Sequence, residues 1–120
     1  MDKTPKYDLE ERTAIFAEKI ILMLRSIKID TINRRVADQL IGASGSLAAN
    51  YYEAVEAESK KDFTHKIGIC RKETKEVKLW LRLLLKTNPE KTAEAEEYAK
   101  EAHELLLIFS KIVRSSRGEN

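Results

Sequence analysis

Two clusters of polar side chains at helical spacing are the residues best placed to do chemistry in this 120-residue chain. Each cluster occupies one face of a predicted helix: Ser46, Asn50 and Glu53 on one, Lys66, Glu73 and Glu76 on the next. Three carboxylates brought together inside a helical bundle could bind a metal ion or transfer protons. Glu53, Glu73 and Glu76 would supply that site.

A structural interpretation of the same residues competes with the catalytic one. Di-metal sites in bundle cores usually pair Glu-x-x-His motifs from two helices. Neither His65 nor His103 follows a glutamate by three residues. Half-buried polar groups also need hydrogen-bond partners. We therefore interpret the two clusters as a polar network that fixes helix register or forms a contact between subunits.

Other catalytic signatures are missing from the sequence. Cys70, the single cysteine, recurs at the apolar spacing of its helix, which favours a small buried hydrophobe over a nucleophile. No serine stands in a nucleophile-elbow pattern, and the glycines of the segment G-A-S-G-S lie inside a predicted helix. We expect no catalytic residue, no metal and no cofactor.

A stripe of basic residues is the second feature of the sequence that could carry a function. Residues 59–87 carry nine basic and three acidic side chains, although the whole chain has a formal charge of only +2. The stripe recurs at steps of three or four: Arg71, Lys75, Lys78, Arg82 and Lys86. Such a face predicts sequence-independent contact with the phosphates of RNA or DNA. The alternative is a solvated face whose lysines pair with the glutamates of the following helix.

The elements that position these residues are four predicted helices. Ala, Glu, Lys, Leu and Arg make up about half of the chain, a composition typical of long helices. Start signals stand at Asp8, Asp30, Ser59 and the pair Asn88-Pro89. They place helices roughly over 8–28, 30–57, 59–87 and 89–115. The short connections between them predict one all-α domain over 1–120, an antiparallel up-down-up-down four-helix bundle.

Each helix carries an apolar seam that predicts the core. The seam positions are Leu9, Thr13, Phe16, Ile20, Met23 and Ile27; then Ile32, Val36, Leu40, Ala43, Leu47, Asn50 and Ala54; then Phe63, Ile67, Cys70, Thr74, Val77, Leu81 and Leu84; and finally Ala95, Tyr98, Ala102, Leu105, Phe109 and Ile112. The second seam runs past Gly42 and Gly45, where small residues would let another backbone approach closely.

Several helices have more apolar surface than one seam uses. The additional residues include Ile21 and Leu22, then Ile69, Trp80 and Leu83, then Leu106 and Leu107. Large exposed apolar patches usually mark interfaces, so we predict a homo-oligomer. The alternative is a wide seam within one chain. No apolar run is long enough to span a membrane, and the polar N-terminus is unlike a secretory signal, which predicts a cytoplasmic protein.

Three segments of the chain resemble a known bacterial family. They are Y-D-L-E-E-R-T-A-I-F-A, then D-Q-L-I-G-A-S-G-S-L-A-A-N-Y-Y-E-A, then K-K-D-F-T-H-K-I-G-I-C-R-K-E-T-K-E-V-K-L-W-L. The sequence is similar to proteins encoded within intervening sequences of 23S ribosomal RNA genes, a family that includes relatives of the accessory variability determinant of diversity-generating retroelements. The resemblance implies a four-helix bundle that assembles as a homopentamer without catalytic activity. In the retroelement branch it also implies nucleic-acid binding and a reverse-transcriptase partner; we carry over only the former.

Together these observations predict a non-enzymatic oligomer that binds RNA or DNA through Arg71, Lys75, Lys78 and Arg82. The alternative is a scaffold or accessory subunit that recruits another protein and does not itself bind nucleic acid.

Overall fold

The computed structural model describes residues 8–118, and these form an all-α, antiparallel four-helix bundle, as predicted. Its helices are α1 (Leu9–Arg25), α2 (Arg34–Val55), α3 (Lys60–Thr87) and α4 (Thr92–Ser116), with a 3-10 turn at Pro89–Lys91 before α4. α3 lies between α2 and α4 and packs closely against both, whereas α1 packs chiefly on α2. The polar clusters and the basic stripe therefore sit on the central helix and its neighbour α2.

Two of the predicted start signals cap their helices directly. The Asp8 carboxylate accepts a hydrogen bond from the Glu11 amide at 3.1 Å, and the Ser59 hydroxyl accepts one from the Asp62 amide at 3.0 Å. Each bond satisfies one of the amides that a helix N-terminus leaves without an intrahelical partner. Asp8 and Ser59 thus fix where α1 and α3 begin.

The start predicted at Asp30 is wrong, because α2 begins at Arg34. The Asp30 carboxylate instead accepts from the amides of Ile32 and Asn33, both at 2.8 Å, and closes a separate turn. Ile32 therefore stands outside the helix and is 70% exposed instead of lying in the predicted seam.

The other predicted bounds differ by a few residues. α1 ends at Arg25, because the Ser26 hydroxyl donates to the Met23 carbonyl oxygen at 2.6 Å and takes up one of the last carbonyls. The signal at Asn88-Pro89 starts the 3-10 turn, and α4 follows from Thr92.

The seams otherwise describe the core. All six predicted α1 positions are buried, and so are the α3 positions from Ile67 to Leu84. The seam residues Asn50, Phe63, Tyr98 and Ile112 lie half-buried at its edge. Burial of such a stripe contributes roughly 25 cal/mol for each Å² of apolar surface removed from water. The core thereby fixes which face of α3 points outward.

The glycines of α2 do not serve a close contact within the chain. Gly42 and Gly45 are exposed, and a Cβ atom added at either would meet no atom of the described residues within 4 Å. The close approach of another backbone, which the sequence suggested, is therefore not made by another helix of the described chain.

Two long-range polar contacts hold the bundle together outside the core. Arg12 on α1 forms a bidentate ion pair with Glu101 on α4, and its Nη2 lies 3.4 Å from Glu104. At one end of the bundle, the Asn33 side-chain amide donates to Asn88 Oδ1 at 3.1 Å. That bond joins the α1–α2 connection to the α3–α4 connection.

Candidate nucleic-acid interface

The basic face of α3, defined by Arg71, Lys75, Lys78 and Arg82, lies on one side of a continuous helix. Steps of four, three and four residues keep successive side chains on adjacent turns. Lys75 and Arg82 are exposed, while Arg71 and Lys78 are half-buried. At 1.5 Å per residue, the four charges extend over about 16 Å of helix.

The charges of this face are not neutralised by carboxylates within residues 8–118. None of the four residues forms an ion pair there. The glutamates of α4 that do pair, Glu94, Glu101 and Glu104, contact Lys91 and Arg12 instead. The described residues therefore do not show the alternative arrangement, in which the lysines of this face pair with the glutamates of α4.

Lys78 has one specific partner, a histidine on α4. Its Nζ lies 2.9 Å from Nδ1 of His103. Because an ammonium has only donors, the imidazole nitrogen must accept in this hydrogen bond. The contact positions the Lys78 side chain against α4 without cancelling its positive charge.

Two groups of contacts involve the residues of the predicted polar network. In the first, Lys66 Nζ donates to Glu53 Oε1 at 2.7 Å. The second places Ser46 and Glu76 beside Glu73. Asn50 stays on α2, where its side-chain amide donates to the carbonyl and hydroxyl oxygens of Ser46 at 2.9 and 3.1 Å.

The surroundings of Glu73 shift the pKa of its carboxyl group. Burial raises its pKa above the usual 4.5, and repulsion from the Glu76 carboxylate raises it further. Lys72 and the Ser46 hydroxyl act in the opposite direction. Desolvation and like-charge repulsion therefore both favour the protonated form of Glu73.

These carboxylates do not converge on a common point. Within residues 8–118, no three side chains of His, Cys, Asp or Glu are grouped so that they could hold a metal ion. Glu53 pairs with Lys66, which precedes Glu73 on α3 by about two helical turns. The geometry is that of helix-to-helix contacts.

Cys70 lies fully buried in the core, as its seam position predicted. Its Sγ lies 3.7 Å from the Leu47 carbonyl oxygen, and burial raises the pKa of the thiol to about 12. Since the thiolate is the nucleophilic form, this cysteine is unreactive in the folded protein.

The additional apolar surface divides into two groups. Trp80 and Ile108 pack against the core, whereas Leu22 and Leu107 are 65% and 57% exposed. The indole N–H of Trp80 is buried and finds no hydrogen-bond partner among the described residues.

Sequence reasoning missed a basic groove between the first turns of α3 and the end of α4. Arg117 reaches this groove although it lies 56 residues after Lys61 in the chain. The only sequence signal was the four-residue spacing of Lys60, Thr64, Gly68 and Lys72, which places them on one face.

Comparison with known proteins gives a consistent result. The model of a family described as "23S rRNA-intervening sequence protein" matches residues 6–111. The fold is similar to a crystal structure of a protein of unknown function from the S23 ribosomal protein family of Bacteroides thetaiotaomicron, with 25% sequence identity and a TM-score of 0.75. That alignment covers 88% of this chain and 97% of the other. No curated protein matches the chain. Among the described helices, none combines the length and apolar character required to cross a membrane.

Proposed function

The chain belongs to the family of 23S rRNA-intervening sequence proteins, and on this basis we propose that it is a non-enzymatic protein that binds nucleic acid through the basic face of α3. The observation that carries the proposal is the row of four cations along one helix without carboxylate partners in residues 8–118. A polyanion would supply the missing negative charge and release its own counterions.

The contact is with the phosphate backbone and not with the bases. The basic face carries lysine and arginine but no aromatic side chain on which a base could stack. It also has the width of a single row of charges, with no asparagine or glutamine to read base edges. Binding is therefore expected to tolerate any sequence and to weaken steeply as salt is added.

The test is a face variant in which Arg71, Lys75, Lys78 and Arg82 are all replaced by the uncharged residue Gln. A matched variant replaces two exposed lysines and two exposed arginines elsewhere, namely Lys19, Lys28, Arg34 and Arg35. Both variants lose the same net charge. Binding to a labelled DNA duplex and to a structured RNA is measured by fluorescence anisotropy between about 50 and 200 mM salt.

The face variant is expected to lose about three to four units of the salt slope, because each phosphate contact contributes roughly 0.9. The matched variant is expected to retain most of the slope and affinity. Equal losses in the two variants would show that only net charge matters, and would overturn the assignment to α3. A wild-type protein that binds neither probe would overturn the function itself.

We also propose that the protein assembles as a homo-oligomer, with the exposed apolar residues Leu22 and Leu107 in or near the contacts between copies. The resemblance to the family implies a pentamer, five times the 13.8 kDa of one chain. Light scattering after size-exclusion chromatography measures this mass. A 13.8 kDa species at micromolar concentration would contradict assembly. An oligomer whose mass is unchanged in the Leu22→Glu and Leu107→Glu variants would contradict the placement of these leucines in the contacts.

A scaffold or accessory subunit is the second candidate function, and the same exposed leucines favour it. It predicts an assembled protein whose salt-dependent nucleic-acid binding is absent even at low ionic strength. Both proposals place the protein in the cytoplasm, and fractionation of the producing cells tests that location.

A further inference from the structure

The groove that sequence reasoning missed is lined mainly by one face of α3, and the end of α4 closes it. It has a volume of about 730 Å³, within the size range of small-molecule sites. Its cationic residues come from both helices: Lys60, Lys61 and Lys72 from α3, and Arg117 just after α4. Among residues 8–118, no carboxylate side chain lines it.

The ion pairs found within residues 8–118 leave these four cations unpaired. Lys60, Lys61, Lys72 and Arg117 are all exposed. Thr64 and Ser116 also line the groove, and the Thr64 hydroxyl donates to the Lys60 carbonyl oxygen at 2.9 Å. An anion with several acceptor oxygens is the ligand that suits this lining.

Gly68 lines the groove and leaves open space in it. A Cβ atom built on Gly68 would meet no atom of the described chain within 4 Å. Alanine at such a position would make the helix more stable than glycine does. Gly68 is therefore not required by the packing of this chain, but any larger side chain there would take up volume in the groove.

The groove continues the basic face of α3. One of its walls carries Lys60, Thr64 and Gly68 at steps of four, and Arg71 follows three residues later. Steps of three and four then lead to Lys75, Lys78 and Arg82, so a single line runs from residue 60 to residue 82. Its length is about 33 Å at 1.5 Å per residue.

We infer that this groove is a phosphate-binding site that receives a nucleotide-sized segment of the strand bound along the basic face. The inference rests on the proposed function, because the strand must reach the groove from Arg71. Lys61, Lys72 and Arg117 surround the phosphate, and Gly68 leaves room for the sugar or base attached to it. A free phosphate compound offers the same chemistry, so the experiment separates these two sources.

The first arm of the experiment fills the groove without changing its charge. Gly68→Leu occupies the open space, and Gly68→Ala is the matched control that removes the glycine but leaves most of the volume. With a single-stranded RNA long enough to cover the whole line, Gly68→Leu is expected to weaken binding about tenfold, as expected for loss of the contacts in the groove. Gly68→Ala is expected to change it less than about twofold.

The second arm removes charge from the groove only. The double variant Lys61→Gln and Arg117→Gln is expected to reduce the salt slope for single-stranded RNA by about 1.4, since each contact contributes roughly 0.7. The slope contributed by Arg71, Lys75, Lys78 and Arg82 should remain. Circular dichroism of each variant shows that the helices are intact.

The outcomes distinguish the two proposals. If RNA binds but both groove variants behave as wild type, the groove assignment is overturned and the proposed function stands. Calorimetry with inorganic pyrophosphate tests whether the groove binds a small phosphate compound by itself. If wild-type protein binds pyrophosphate through Lys61 and Arg117 but binds neither RNA nor DNA, the groove holds small phosphate compounds, and both the strand assignment and the proposed function are overturned.

Discussion

Arg12 and Glu101 join α1 to α4 through two parallel hydrogen bonds, from Nε to Oε2 at 2.8 Å and from Nη2 to Oε1 at 2.7 Å. The side chains are only 21% and 28% exposed, so water screens the pair less than it does a surface ion pair. The hydrogen bond to Glu101 raises the pKa of the guanidinium. α1 makes few contacts with α4, and this pair is one link between the two helices.

Removal of one partner should therefore destabilise the bundle. We expect Arg12→Ala to lower the free energy of unfolding by about 1.5–3 kcal/mol, the usual range for hydrogen bonds to charged groups. Lys91→Ala breaks the Lys91–Glu94 pair, whose carboxylate is 43% exposed and only three residues away, and serves as a control, with a loss of about 0.5 kcal/mol or less. Guanidinium unfolding measures both values, and equal losses would contradict the role given to Arg12.

Glu73 should make the folded protein less stable at neutral pH. Its pKa is raised by burial and by Glu76, so the folded chain binds this proton more tightly than the unfolded chain. Stability then falls as the pH rises above the usual carboxyl value of 4.5 through the higher pKa of the folded state. Glu73→Gln, which stays neutral, should have a higher Tm than wild type at pH 7.

The difference should disappear at about pH 3, where the wild-type carboxyl group is also protonated. Glu97→Gln on the exposed surface of α4 is the matched control, with no comparable gain in Tm. A lower Tm for Glu73→Gln at pH 7 would mean that the charged carboxylate has a stabilising partner, such as a cation from another subunit.

Gly42 and Gly45 should be replaceable by alanine with a gain in stability. Neither position has a neighbour within 4 Å of an added Cβ, and glycine inside a helix costs roughly 0.5–1 kcal/mol relative to alanine. Each substitution should raise the free energy of unfolding by that amount, as measured in guanidinium. A loss at Gly42 or Gly45 would show that another molecule packs closely against this face of α2.

Cys70 should be unreactive until the protein unfolds. With a thiol pKa of about 12, roughly one molecule in ten thousand carries the thiolate at pH 8, against about a quarter for an ordinary cysteine. A colorimetric disulfide reagent should therefore label Cys70 only after guanidinium is added. Rapid labelling of the native protein would contradict its burial.

The helical core followed from sequence because it depends on local spacing. The α3 seam from Ile67 to Leu84 repeats at three and four residues, and one straight helix keeps those positions on one side. Ile32 matched the same pattern and is exposed, since Asp30 closes a turn before α2 starts. A seam pattern alone does not show where a helix begins.

The candidate site likewise has a part that could be predicted from local spacing and a part that could not. The basic face lies on a single helix, so its residues could be placed together from their spacing. The groove needs Arg117 beside Lys61, and the ion pair needs Arg12 beside Glu101. Residues so far apart in the chain meet only when whole helices pack, and no spacing rule contains that information.

The lone tryptophan of the chain, Trp80, lies on α3 against the core, with its indole N–H buried and lacking a partner in residues 8–118. Its emission wavelength depends on the polarity around that ring. The protein therefore contains an intrinsic optical sensor on its central helix, which needs no attached dye. A blue or red shift on adding RNA, or on dilution, would report strand binding or subunit release directly.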